Sequence, residues 1–120
     1  MIGKVIAALL TPLGKTYPMR AKQGQAAPYM VYTVISDRPT DTKEGPSELD
    51  VKRVQIDTYA ATYAECMTLM ASVRSTIDRY RGTVQSVVVD KIVFENEQDF
   101  YDNEAELYRR SQDYFIRIKL

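Results

Sequence analysis

"VKRVQIDTYAATYAEC", residues 51–66, is the stretch from which the rest of the chain is read. From Val51 to Tyr59 polar and apolar side chains alternate, the period of a strand with two unlike faces. Val54, Ile56 and Thr58 fall on one face, and Arg53, Gln55, Asp57 and Tyr59 on the other. One face therefore packs on a core while the other meets water or a partner. The alternation ends at Ala60 and Ala61, and Thr62-Tyr63-Ala64-Glu65 follows. A threonine with a glutamate three residues on is a capping box: Thr62 accepts from the backbone N–H of Glu65, and the Glu65 side chain reaches back. The helix it opens is expected to run from about 63 to 81. Its inward stripe is Cys66, Leu69, Met70, Val73, Ile77 and Tyr80; Arg74, Asp78, Arg79 and Arg81 lie outside, and Gly82 is the stop.

Outward from this centre, "YMVYTVIS" (29–36) is rich in β-branched and aromatic residues on both faces and reads as a central strand. "VQSVVVDKIVFE" (84–95) and "LYRRSQDYFIRIKL" (107–120) read as two more. In the last, Tyr114, Ile116, Ile118 and Leu120 share one face, and Phe115, Arg117 and Lys119 the other. Residues 2–10 form a short amphipathic helix with Ile2, Val5, Ile6 and Leu9 inward, closed by Pro12 and Gly14. Irregular chain follows, with one short strand near Tyr17. Two polar connections remain. "DRPTDTKEGPSELD" (37–50) holds two prolines and seven charges and reads as a long loop; Arg38, Asp41, Lys43, Glu44 and Glu48 are its candidate assembly contacts, mobile before assembly. "NEQDFYDNEAE" (96–106) reads as an acidic connection. The expected fold is a single α+β domain over 1–120: a four-stranded, mainly antiparallel sheet with the long 63–81 helix on one face and a short N-terminal helix.

The composition narrows the function. Sixteen basic residues balance sixteen acidic ones. A zero net charge lacks the basic footprint of a free-standing nucleic-acid binder and favours association between copies. One cysteine allows no internal disulfide and fits a reducing compartment. The apolar run Val5–Leu10 is too short for a secretory signal, and no stretch is long enough to span a membrane. Nine tyrosines suit half-buried sheet faces and protein interfaces.

Catalytic chemistry is hard to assemble from these residues. There is no histidine, so the usual general base near neutral pH and the usual zinc ligand are both missing. Cys66 falls in the helix's core stripe, where a thiol is a small hydrophobe rather than a nucleophile. Glu95, Glu97, Asp99, Asp102, Glu104 and Glu106 lack the spacing of a calcium loop and read as a solvated or partner-facing acidic segment. Arg109-Arg110 is too short for a nucleic-acid patch and is expected to pair with it. No cofactor, metal or catalytic residue is expected.

Several of these pieces together resemble one family. "APYMVYTVISDRP" (27–39), "VQIDTYAATYAECMTLMASVRSTI" (54–77) and "YRRSQDYFIRIKL" (108–120) resemble the tail completion proteins, or tail terminators, of long-tailed bacteriophages. The likeness rests on Ala27-Pro28-Tyr29 opening a strand, on Val54 to Asp57 with Tyr59, and on Tyr108 to Tyr114, and spans about Val5 to Leu120. It implies a non-catalytic virion protein of a siphophage tail, assembled in the host cytoplasm. Copies would form a ring, expected as a hexamer, on the head-proximal end of the tail tube. The ring would stop tube polymerisation and receive a head-completion protein, while DNA passes through unread. Arg53, Gln55, Asp57, Tyr59, Glu95, Glu97, Asp99, Asp102, Arg109 and Arg110 are the candidate subunit or tail-tube contacts. The bland alternative makes Arg53, Gln55 and Asp57 an ordinary wet face. Other functional readings are a stopper or adaptor of the head–tail connector, a small protein-binding module, and an enzyme working by carboxylates alone.

Overall fold

A computed structural model describes residues 2–20, 26–42 and 45–119, and over 36–42 and 45–49 the course of the backbone alone. The chain opens with helix α1 (Ile2–Leu10), which buries Ile2, Val5, Ile6 and Leu10. The stripe is the expected one, save that Leu10 reaches the fully buried position and Leu9 packs at its margin. A 3-10 turn at Thr11–Leu13 leads to β1 (Thr16–Pro18), the short strand expected near Tyr17. Two long hairpins follow, separated by a helix: β2 (Tyr29–Thr42) with β3 (Gly45–Ala60), then α2 (Tyr63–Ile77) and β4 (Gly82–Val84), then β5 (Val87–Asp102) with β6 (Leu107–Lys119). The strands form one sheet in the order β1-β2-β3-β6-β5-β4. β1 runs parallel to β2; every other neighbouring pair is antiparallel.

The sheet is thus six-stranded and mixed, not four-stranded, and its two helices are short. Four expectations change with it. The 37–50 segment is not a long loop: β2 carries it to Thr42 and β3 from Gly45, with Asp37 opposite Lys52 and Thr42 opposite Gly45. Residues 43 and 44 lie outside the described residues. Pro39 and Pro46 are compatible with this because each lies where, among the described residues, its strand has one open side. β1 covers only Met30–Tyr32 of β2, and β6 ends at Lys119 opposite Leu49. Residues 96–102 are likewise strand, not connection. Glu97 faces Gln112, Asp99 faces Arg110, Phe100 faces Arg109 and Tyr101 faces Tyr108. Cross-strand pairs of opposite charge and of aromatic rings hold a strand that has few buried apolar residues of its own. The true turn is 103–106, where Asp102 Oδ1 accepts from the N–H groups of Glu104 (3.0 Å) and Ala105 (3.2 Å).

The third change is at 84–95, which splits into β4 and the start of β5 around Gln85 and Ser86, at φ 51° and 65°. Two residues in the left-handed region make the tight turn that suits hairpin twist. The fourth is the end of α2. Thr62 caps its start as expected, its side chain accepting from Glu65 N–H at 3.2 Å. The helix stops at Ile77, four residues short of 81. Asp78 turns out at φ −63°, ψ 126°, and Arg79 adopts φ 66°. Strand-like bonds replace another helical turn: Arg79 N–H donates to Ile92 O (2.7 Å), Ile92 N–H to Tyr80 O (3.2 Å), and Phe94 N–H to Asp78 Oδ1 (3.1 Å). Gly82 is therefore not the stop.

Both helices lie on one face of the sheet. Met70, Val73 and Ile77 of α2 and the buried face of α1 meet Met30, Val54, Ile56, Ile92, Tyr114, Ile116 and Ile118. The expected inner faces of β3 (Val54, Ile56, Thr58) and β6 (Tyr114, Ile116, Ile118) are correct; Leu120, expected with them, lies outside the described residues. The long hairpins draw the molecule out to 51 × 24 × 24 Å.

Candidate functional site

Strand alternation and register place a second set of side chains on the face that neither helix covers. Val51, Arg53, Gln55, Asp57 and Tyr59 of β3 stand beside Arg117, Phe115, Asp113, Ser111 and Arg109 of β6, and those beside Lys91, Val93, Asn96, Gln98 and Phe100 of β5. Its arginines and aspartates are matched within the chain, Arg117 by Asp90 at 3.5 Å. Arg53 Nη2 donates to Asp113 Oδ2 at 2.9 Å. Arg109 Nε lies 3.4 Å from Asp57 Oδ1, close enough for charge attraction though not aligned as a hydrogen bond. Gln55 Nε2 donates to both oxygens of Asp57, at 3.0 and 3.3 Å. The Arg109 guanidinium lies 4.3 Å from the centre of the Phe100 ring, and the Arg53 guanidinium 6.0 Å from that of Phe115. Among the described residues two donors remain unmatched: Nε of Arg53 and Nε of Arg109 are buried without a hydrogen-bond partner there. Buried donors of this kind normally find an acceptor.

Tyr29 and Tyr59 stack at 4.8 Å on the same face, with Tyr17 edge-on to Tyr29 at 6.2 Å. Burial pushes both stacked phenols above their ordinary pKa, helped by their mutual repulsion for Tyr29 and by Asp57 for Tyr59. A groove of about 270 Å³ runs along this face between Gln55, Asn96, Gln98, Phe100, Arg109 and Asp113. Its lining is polar, so it suits hydrogen-bonding protein groups better than an apolar small molecule.

A second cluster sits on the helix side, near the β5–β6 turn. Arg110 grips Asp99 with two bonds, Nε to Oδ1 at 2.6 Å and Nη2 to Oδ2 at 2.9 Å. Tyr63 Oη donates to Asp99 Oδ2 (3.0 Å) and accepts from Arg110 Nη2 (3.2 Å), tying α2 to the hairpin. The Arg110 guanidinium holds the Asp99 carboxyl below its ordinary pKa, and that carboxylate raises Arg110 and Tyr63 in turn. Deeper in, Tyr114 Oη donates to Gln112 Oε1, and Gln112 Nε2 donates to Glu97 Oε1 at 2.7 Å. Burial pushes the Tyr114 phenol up strongly.

The sequence-predicted contacts therefore divide. Arg53, Gln55, Asp57, Tyr59 and Arg109 share the uncovered face, whereas Arg110, Asp99 and Glu97 point to the helix side. Glu95 lies exposed at the bulge between Phe94 and Asn96, and Asp102 holds the turn. The pairing of Arg109-Arg110 with acidic groups is internal, and Arg109 takes Asp57 rather than the acidic segment. Arg38 and Asp41 lie on β2 and Glu48 on β3; Lys43 and Glu44 are outside the described residues. Sequence reasoning missed Asp113 and Phe100 as members of the face; it set Phe115 on the outer side of the last strand, which is correct, but did not name it as a contact. Their signal was strand alternation in β5 and β6, recoverable only with the register. Cys66 is buried, its Sγ 3.4 Å from Thr58 O, and burial pushes its thiol up. Among the described residues no group of three or more carboxylate, cysteine or histidine side chains is placed to hold a metal ion, and no helix is long and apolar enough to cross a membrane.

The model of the family described as "Tail completion protein gp17" matches residues 4–119. The chain belongs to this tail completion family. It is thus a structural protein of a phage tail. The fold is shared with a chain of the solved structure described as "Virion of native gene transfer agent (GTA) particle", at a TM-score of 0.72 and 16% identity, covering 97% of this chain and 85% of that one. No curated protein matches the chain. The family match runs from within α1 to the end of β6, so both the helix-covered and the uncovered face of the sheet belong to the shared domain.

Proposed function

We propose that this tail completion protein acts as a tail terminator. Copies form a ring on the head-proximal end of the tail tube, stop its polymerisation and present the surface to which a head-completion protein joins. DNA passes through the ring without being read, and the work is done by binding rather than catalysis. The match to the tail completion family over residues 4–119 is the observation that carries this reading. The uncovered sheet face supports it. That face has a polar groove, exposed Val93 and Phe100, and two buried arginine Nε donors without acceptors among the described residues, the features of a surface finished by a protein partner. We assign it to the tail tube, with Arg53, Gln55, Asp57, Tyr59 and Arg109 as its centre.

Polymerising purified tube protein with increasing amounts of this chain tests the proposal. Tubes should shorten as the chain is added, and electron micrographs should show a ring at one end only. Decoration along the tube wall, or tube lengths that ignore the chain, would overturn it.

A further inference from the structure

Three cations line a cavity away from both the polar groove and the Arg110 corner. The cavity, of about 290 Å³, opens to solvent beside β5 and is lined by Arg74, Asp78, Arg79, Lys91, Val93 and Phe94. Three segments supply its walls. The last turn of α2 gives Arg74, the crossing after it gives Asp78 and Arg79, and β5 gives the rest. Backbone bonds fix the crossing against β5: Arg79 N–H donates to Ile92 O at 2.7 Å, and Phe94 N–H to Asp78 Oδ1 at 3.1 Å.

The one carboxylate in this lining is already engaged. Asp78 Oδ1 accepts from Phe94 N–H, and Oδ2 lies 3.6 Å from Arg74 Nε. Arg74 is held in place a second time, its guanidinium 3.8 Å from the centre of the Phe94 ring. Arg79 and Lys91 are exposed, and among the described residues their side chains make no ion pair or hydrogen bond. The neighbouring carboxylates do not serve them. Asp90 pairs with Arg117, and Glu95 stands outside the lining and acts on Arg53. Three positive charges thus face one negative charge, a surplus of two. Arg79 also sits at φ 66°, a conformation that glycine or asparagine adopts more readily. An exposed arginine kept at such a position points to a use for its charge.

We propose that this cavity is an oxyanion site that holds a doubly charged phosphate group. Two guanidinium groups and an ammonium are donors suited to phosphate oxygens, the arginines through paired N–H bonds and the lysine as a point charge. The surplus of two positive charges matches a phosphate dianion, whereas a single carboxylate would leave one cation uncompensated. A free phosphate ion and the end phosphate of a small ester share this chemistry. Bound there, phosphate ties the end of α2, the crossing and β5 together and stabilises the folded chain. The site is separate from the groove assigned to the tail tube and does not depend on that reading.

Titration calorimetry at low ionic strength tests it, with inorganic phosphate, adenosine monophosphate and acetate as probes. Phosphate should bind saturably, one ion per chain. Arg79→Asn and Lys91→Gln should each weaken it about tenfold or more, since each removes a charged donor. Both variants should fold, because asparagine accepts positive φ and Lys91 is exposed. Acetate should bind about tenfold or more weakly than phosphate. Tighter binding of the monophosphate than of the free ion makes the ligand a phosphate ester, and equal or weaker binding makes it the free ion; either upholds the site. In thermal melts phosphate should raise the melting temperature of the natural chain by more than that of either variant. That comparison removes the general stabilisation phosphate exerts by exclusion from protein surfaces. No saturable binding of either phosphate probe, unchanged binding in either variant, or an equal thermal shift in all three chains would overturn the proposal. Acetate binding as well as phosphate would also overturn it and give the cavity to a carboxylate of a protein partner.

Discussion

Arg110 shows how one side chain sets the character of a whole corner of the molecule. It binds Asp99 through two nitrogens, touches the Tyr63 hydroxyl and lies 3.8 Å from Glu97. Arg110→Ala should lower stability at neutral pH by about 1 kcal/mol, a modest figure because Asp99 is partly exposed and screened. The pH dependence follows from the depressed carboxyl. Asp99 binds its proton less tightly folded than unfolded. Its contribution is therefore complete above the ordinary value of 3.8 and is lost as pH falls through that value and then through the lower folded one. Denaturation in urea at a series of acid pH values should show this loss in the natural chain and a flatter profile in the variant. Tyr114→Phe tests the buried relay in a different way. It removes the hydroxyl that donates to Gln112 Oε1 and leaves that oxygen buried without its donor, for a loss of about 1–2 kcal/mol in the same assay.

Single elements here depend on local signals that are separable from packing. α2 begins where Thr62 Oγ1 accepts from Glu65 N–H. Thr62→Ala should cost about 1 kcal/mol and Thr62→Ser much less, since serine keeps the acceptor. Thermal melts of the two variants make the comparison. The β4–β5 turn uses Gln85 and Ser86 at positive φ, a conformation that Asn-Gly adopts with less strain. Gln85→Asn with Ser86→Gly should raise stability by about 0.5–1 kcal/mol and leave assembly unchanged. A drop would mean that these side chains have a contact outside the turn.

At the scale of the molecule, the sheet divides its labour by face. One face is closed by α1 and α2 around Ile6, Met70, Ile56 and Tyr114, and that core fixes the fold. The opposite face keeps Phe100 exposed over Arg109 beside the polar groove. Phe100→Ser removes no buried core group, so the melting temperature should change by a few degrees at most, while end-binding to tubes should weaken about tenfold or more. Equal loss of binding and stability would mean that Phe100 serves the fold rather than the tube.

The sequence by itself determined the elements with strong local periodicity and the family. α1, the cap of α2, the inner faces of β3 and β6 and the buried place of Cys66 all follow from spacing, because each pattern repeats within a few residues. The order of strand and helix segments was enough for the resemblance. Only the tertiary structure decided the remainder. Asp37–Thr42 and Asn96–Asp102 are polar stretches that become strand because a partner strand completes their backbone bonds, and the hydrophobic pattern of neither stretch records that partner. α2 ends at Ile77 because β5 offers Arg79 and Tyr80 better bonds than another helical turn. Arg109 and Arg110 are neighbours in sequence, yet alternation sends them to opposite faces, one to Asp57 and one to Asp99. Which arginine meets which carboxylate is a matter of register, and register is set by which strands lie side by side.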